Sequence, residues 1–303
     1  MSDPRSLAEL DQPLMDAAAP GLSLYSRGKV RDTFDLGDHL LMIATDRVSA
    51  FDVVLPNGIP DKGKILTQMS RWWFEQTRDI CPNHIDEGAS WPSELSDVRD
   101  QWEPRSMMVR TAKRIDFECI VRGYLAGSGW SEYKKQGTLA GTKLPGGMVI
   151  SGRLREPQFT PSTKNDEGHD ENITIPEMAR QIGTDLTSQL EELSLNLYGT
   201  AAAIALERGV ILADTKLEFG IIDGKIHLID ECFTPDSSRY WDAETYKPGM
   251  PQEAMDKQYL RDWLETTGWG KTPPGPEIPE AVVLGIRDRY LTAYCRITGR
   301  DGI

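Results

Sequence analysis

The 303-residue chain contains no run of about 18 apolar residues, so no segment is expected to cross a membrane as a helix. Cysteine is scarce and scattered: Cys81, Cys119, Cys232 and Cys295 show no CxxC spacing. That excludes a disulfide framework and a thiolate zinc site, and free thiols in a reducing cytoplasm are expected. Four dispersed histidines make a zinc centre equally unexpected. Positive charge is in deficit, with 34 Lys and Arg against 47 Asp and Glu and a net charge of -13. This argues against a nucleic-acid or anionic-membrane partner and leaves room only for local basic pockets. The start, Met1-Ser-Asp-Pro-Arg5, lacks a basic-then-apolar leader. No GxxxxGK[ST] loop, internal repeat or low-complexity tract occurs, and no Ser/His/Asp or Cys/His set suggests a protein nucleophile.

The apolar (39%) and charged (27%) fractions are ordinary for a soluble domain, and the length suits two domains or one large one. Leu22 to Asp52 reads as β: Leu22–Tyr25, a turn at Gly28–Asp32, Thr33-Phe34, and His39–Ala44 after Gly37-Asp38. Ile65, Met69, Trp72 and Trp73 mark a helix over Lys64–Arg78. Met107–Ala112 and Phe117–Arg122 read as strands, and residues 141–173 as one long polar loop. Thr174-Ile-Pro-Glu177 is a capping box. The helix it opens should run to about Arg208 with a break near Gly183 or Gly199, its Leu186, Leu190, Leu193, Leu197, Ala201 and Ile204 stripe serving as core. Further helices are expected at 252–266 and 279–297. The order, β-rich, then mixed, then helical, is that of an α+β protein.

The most informative segment is Gly209–Gly220, in which an apolar strand runs into Asp214, Lys216 and Glu218. Alternate residues of a strand share a face, so acid, base and acid line up over roughly 13 Å. Such a row costs folding energy unless something binds to it. Carboxylates for a metal and cations for phosphate are what Mg-nucleotide chemistry requires. Asp223-Gly224 signals a two-residue hairpin turn. Glu218 then opposes Ile229 and Lys216 opposes Glu231, which puts Glu231 on the charged face and turns Asp230 away unless a bulge intervenes. A solvent-facing hairpin would also carry charge, but the apolar flanks argue for a buried one.

Other constellations are weaker alone. Arg27–Arg31 could approach a phosphate through Gly28 or be a plain basic turn. Asp46–Asp52 ends an apolar strand and either faces a cleft or is a turn. Arg122, with Gly127-Ser128-Gly129 beyond it and a helix starting near Trp130, offers an anion pocket. Asp236 and Arg239 lie in a turn close to Glu231, where Arg239 could clamp phosphate or carboxylate. Thr160–Lys164 and His169–Asn172 could form a lid or an ordinary loop.

Taken in order, these motifs strongly resemble the SAICAR synthetase (phosphoribosylaminoimidazole-succinocarboxamide synthase) family. The resemblance covers Gly28 to about Trp241 and rests on Gly28–Asp32, Asp46–Asp52, Lys62–Gln68, Glu118–Ser128, Phe159–Lys164, His169–Asn172, Asp214–Gly220 and Thr234–Arg239. Asp116-Phe117 departs from the proline and smaller aliphatic usual there. Length and the 141–173 segment point to the larger, yeast-like branch.

The resemblance implies a two-lobed fold. Residues 1–117 would form an antiparallel β-rich lobe with a kinase-like ATP cleft. Residues 118–303 would form a larger mixed α/β lobe carrying the metal and substrate sites and the two C-terminal helices. The implied activity is an ATP-dependent amide ligation of L-aspartate to the carboxylated aminoimidazole ribotide CAIR. ATP binding would use Gly28, Lys29, Val30, Arg31, Glu118 and Asp230, and Mg²⁺ would be held by Glu218 and Glu231 or Asp230. Arg122, Ser128, Lys216, Arg239 and Asp236 would take the ribotide. Asp46, Ser49 and Lys164 are candidates for the aspartate. Lys216, Asp214 and Arg239 are the catalytic candidates; no general base stands out beyond Asp214 or water. Partners are small molecules, in a monomer or small homo-oligomer. A small-molecule kinase and a non-catalytic nucleotide-binding module are the competing readings.

Overall fold

The computed structural model describes residues 5–164 and 171–303, so the His169-Asp170 part of one motif lies outside the described residues. The chain is α+β, and its contacts divide it into two units.

Unit 1 comprises Met1–Trp72, His84–Ala112 and Met255–Ile303. Its sheet is a four-stranded antiparallel meander of Ser23–Arg27, Arg31–Asp35, His39–Ala44 and Ser106–Arg110. Phe34, Leu41 and Ile43 alternate inward and pack on Leu95, Trp102 and the Ala17–Ala19 segment. The helices Gln258–Thr266 and Glu280–Thr298 cluster with this unit, whereas the sequence reading grouped them with the C-terminal lobe. The apolar stripe of the second helix (Val283, Ile286, Tyr290, Ile297) says that it is buried but not against what. A buried ion pair shows where: Arg287 Nη2 donates to Asp61 at 2.7 Å.

Unit 2 comprises Trp73–Asn83 and Lys113–Ala254. Its sheet is built around Val210–Ile222, which pairs antiparallel with Phe117–Tyr124, Ser238–Asp242, Lys113–Arg114 and Lys225–Ile229. Arg153–Phe159 and Ser162–Thr163 extend it along Phe117–Tyr124. The helix Thr184–Glu207 buries Leu190, Leu197, Tyr198, Ala201 and Ala205, and Tyr198 Oη donates to the Leu212 carbonyl at 2.7 Å. Thr174 caps the helix before it, Ile175–Ile182, in the expected capping box. The break falls at Gly183, whose φ of 91° is open to glycine.

The expected 141–173 loop is partly sheet, with strands at Thr142–Lys143, Arg153–Phe159 and Ser162–Thr163. Arg153–Phe159 is a polar edge strand, and its register shifts between Arg153 and Gln158, where Pro157 cannot donate to the ladder. It therefore carries no apolar alternation for a sequence reading to detect.

Candidate active site

The central strand of unit 2 explains the charged row. Asp214 is directly opposed by Arg122 on one side and Arg239 on the other, so three functional side chains share one face. Asp214 Oδ2 accepts from Arg239 Nη1 at 2.6 Å and from Arg122 Nη1 at 3.3 Å. Arg122 is 4% exposed and also donates to Ser128 Oγ at 2.9 Å and Thr160 Oγ1 at 3.1 Å. Burial pulls its pKa down and Asp214 opposes that shift, while a guanidinium remains charged throughout the working range. Gly127 begins the helix Gly127–Gln136, and a Cβ there would lie 2.2 Å from Arg239 Nη2. The glycine thus admits the guanidinium beside the backbone, which a residue with a side chain would block. Thr160 opens one of the motif segments, but its contact with Arg122 follows only from the strand pairing.

Two residues further along, Lys216 and Glu218 meet Glu118 and Lys164. Lys216 Nζ donates to Glu118 Oε1 and Glu218 Oε1, each at 2.8 Å, and Lys164 Nζ donates to Glu218 Oε1 at 2.5 Å. Ser162 pairs with Glu118, which sets Lys164 at the end of that short ladder. Burial alone would raise the Glu218 carboxyl, but Lys216 and Lys164 outweigh it and hold the group well below the usual carboxylate range. Burial would lower the Lys216 ammonium, but Glu218, Glu118 and Asp230 outweigh it and raise it well above its ordinary value. Both groups are therefore ionised at neutral pH.

The hairpin turns at Asp223-Gly224 and pairs Glu218 with Ile229, as the sequence predicts. Beyond that pair the expectation fails. The ladder ends at Ile229, Asp230 turns left-handed with φ 66°, and on the hairpin edge the amide of Lys216 donates to the Ser237 carbonyl at 2.9 Å, so Glu231 is not its ladder partner. The alternation that was to put Glu231 on the charged face and Asp230 off it is broken at that residue. Asp230 is among the charges acting on Lys216, while Glu231 Oε2 accepts from Thr234 Oγ1 at 2.6 Å. Thr234 also accepts from the amide of Asp236 at 3.2 Å, which shapes the turn leading to Arg239.

The remaining candidates lie in unit 1. Gly28–Val30 forms the turn between two strands, and the exposed Lys29 ammonium is paired with Asp52. Asp46 is a fold anchor: its carboxylate accepts from the amides of Leu14 (2.7 Å) and Gly63 (2.8 Å) and is paired with Arg105 at 2.9 Å. Ser49 is buried in a two-residue strand. Of the aspartate candidates, Lys164 alone belongs to the charged cluster of unit 2.

A sequence model described as SAICAR synthetase matches residues 24–276. A phosphoribosylaminoimidazole-succinocarboxamide synthase from Trichlorobacter lovleyi is 50% identical over 96% of this chain and 99% of its own length. One from Thermodesulfovibrio yellowstonii is 50% identical over 94% and 98%. The structure of the Saccharomyces cerevisiae SAICAR synthase complexed with SAICAR superposes with a TM-score of 0.86 at 42% identity, covering 95% of this chain and 98% of that one. A SAICAR synthetase solved in complex with ADP gives 0.66 at 26% identity, covering 91% and 97%. The higher values for the yeast enzyme agree with the expected yeast-like branch. On sequence and on fold, the chain belongs to the SAICAR synthetase family.

Proposed function

We propose that this protein is an ATP-dependent amide ligase of purine biosynthesis, joining L-aspartate to the carboxylate of CAIR to give SAICAR, ADP and phosphate. The observation that carries this reading is the single strand face in unit 2, where a guanidinium pair clasping Asp214 gives way to an ammonium–carboxylate ring centred on Lys216 and Glu218. The first half suits an anionic ribotide, since guanidinium groups bind carboxylate and phosphate with two parallel donors. The second half suits a nucleotide and its metal.

A carboxylate is a poor acyl donor at neutral pH. In the proposed reaction a CAIR carboxylate oxygen attacks the γ-phosphorus of ATP, ADP leaves, and an acyl phosphate forms. The aspartate amine then attacks the acyl carbon, phosphate leaves with the former carboxylate oxygen, and the amine proton goes to water. Both steps depend on positioning and charge neutralisation rather than on a protein nucleophile. Arg122, Arg239 and Ser128 would orient the ribotide, with Asp236 beside them. Asp214 would hold the two guanidinium groups in register. Lys216 would stand between ribotide and nucleotide and offset the charge that develops in transfer.

The chemistry of the donor set fits magnesium. Glu218 and Asp230 supply hard carboxylate oxygens, and Mg²⁺ uses one or two of these together with phosphate oxygens and water. Among the described residues no group of three acids, histidines or cysteines is gathered to hold a metal by itself, so the phosphates would complete the set. When bound, the ion neutralises charge on the transferring phosphoryl group. Lys29 and its turn would contact the phosphates, and Lys164 and Ser49 remain candidates for the aspartate. No described helix is long and apolar enough to cross a membrane, and a cytoplasmic location is proposed with the pathway.

CAIR labelled with ¹⁸O in its carboxylate tests the acyl phosphate. One labelled oxygen per turnover should appear in the released phosphate. Unlabelled phosphate would overturn the mechanism.

A further inference from the structure

We infer that Arg47, assisted by Thr45, is a positioning residue that holds the Gly28–Val30 turn in the form that receives the nucleotide's phosphates. The inference rests on the reading above that this turn contacts them. Arg47 itself is buried, at 9% exposure. All five of its N–H donors are engaged within unit 1. Nη2 donates to the Gly28 carbonyl at 3.1 Å and to Asp32 Oδ1 at 2.8 Å. Nε donates to the Lys29 carbonyl at 3.1 Å. Nη1 donates to the Met15 carbonyl at 2.7 Å and to Asp32 Oδ2 at 3.2 Å. With no donor left for a ligand, its role is indirect. Thr45 captures the next carbonyl, Val30, through both its amide (2.9 Å) and its hydroxyl (2.8 Å).

Three successive carbonyls of the turn are thus drawn to one side. In a trans peptide the C=O and the N–H of the same plane point in opposite directions. Capture of the Gly28 and Lys29 oxygens therefore aims the amides of Lys29 and Val30 away from Arg47. Neighbouring amides that point together form an anion-binding nest. Gly28 and Lys29 are exposed, so the nest stands on the surface of the turn. Asp32, fully buried, fixes the guanidinium fork and also accepts from the amide of Ala17 at 3.1 Å. Lysine could not reproduce this arrangement, because it is a point charge with three donors and no planar fork.

The test compares Arg47→Lys, Thr45→Val and the charge-balanced pair Asp32→Asn with Arg47→Met, which avoids a stranded buried carboxylate, with Lys29→Ala as a separate check on the turn. Steady-state constants for ATP, CAIR and aspartate are measured together with the melting temperature. The expected result is a KM for ATP raised roughly tenfold in the Arg47 variants, with KM for CAIR and aspartate within about twofold, a partial effect in Thr45→Val, and a raised KM for ATP in Lys29→Ala. If Lys29→Ala raises the KM for ATP and the Arg47 and Thr45 variants do not, the inference about Arg47 falls while the turn reading stands. If none of the variants moves it, the turn reading falls as well. A lower melting temperature with unchanged or uniformly raised Michaelis constants would make Arg47 a structural residue only and overturn the proposal.

Discussion

Glu218→Gln separates charge from shape at the acid end of the site. The carboxylate is 5% exposed and accepts from two ammonium groups, Lys164 at 2.5 Å and Lys216 at 2.8 Å. Removing one partner of a buried ion pair costs about 3–5 kcal/mol when a charge is left stranded. Here the loss is smaller. Lys216 keeps Glu118 at 2.8 Å, Lys164 keeps it at 3.9 Å, and the two ammonium side chains are 29% and 24% exposed, so water can reach both. A destabilisation of about 1–2 kcal/mol follows, which for a chain of this size lowers the melting temperature by roughly 2–3 °C. Turnover depends on the charge as a metal ligand and should fall at least ~100-fold, equivalent to about 2.7 kcal/mol of transition-state stabilisation. Thermal melting and ADP release, each followed over a magnesium titration, measure the two effects separately. Turnover within about threefold of the parent protein would refute the metal role. A collapse in melting temperature that accounts for the lost activity would make Glu218 a structural residue.

Three further outcomes are expected. Arg122→Ala removes donors to Asp214, Ser128 and Thr160; KM for CAIR should rise roughly 30-fold or more, KM for ATP should change little, and an unaltered CAIR constant would take Arg122 out of the pocket. Asp230→Asn should weaken magnesium activation more than Glu231→Gln, because Asp230 acts on Lys216 while Glu231 is bonded to Thr234; the reverse order in a magnesium titration would restore the unbroken alternation. The ring should also set a pH signature. Glu218 is depressed, so its contribution is complete above the ordinary value of about 4.3 and is lost as pH falls through its folded value. Lys216 is raised, so its contribution is complete below about 10.4 and is lost only above that. The melting-temperature difference between the parent and Glu218→Gln should stay constant from about pH 5 to 9 and narrow below about pH 4; a difference that varies between pH 6 and 8 would contradict the pairing.

Period-two alternation made Asp214, Lys216 and Glu218 legible as one face, and Asp223-Gly224 made the hairpin legible as far as Ile229. Legibility stopped at Asp230, because a single left-handed residue resets the alternation and nothing in the neighbouring sequence announces it. Lys164 was visible as a charged residue in a motif, but its partner Glu218 is 54 positions away, and only the Ser162–Glu118 pairing brings them together. Asp46 shows how far a side chain's partners can lie from it in sequence. It sits at the end of an apolar strand, and its partners are the distant amides of Leu14 and Gly63 and the side chain of Arg105, which no local pattern announces. Arg47, adjacent to it and read only as part of a motif, holds the glycine turn. Composition and periodicity mark which residues are buried or charged; which of them meet is decided by pairings across the chain.

The most direct test of the central claim is ADP release by the purified protein supplied with Mg-ATP and CAIR, with and without L-aspartate, with the product identified by mass. An amide ligase releases ADP only when aspartate is present and forms succinocarboxamide product in equal amount. ADP release that continues without aspartate and yields a phosphorylated product, or no turnover with all three substrates present, would contradict that claim.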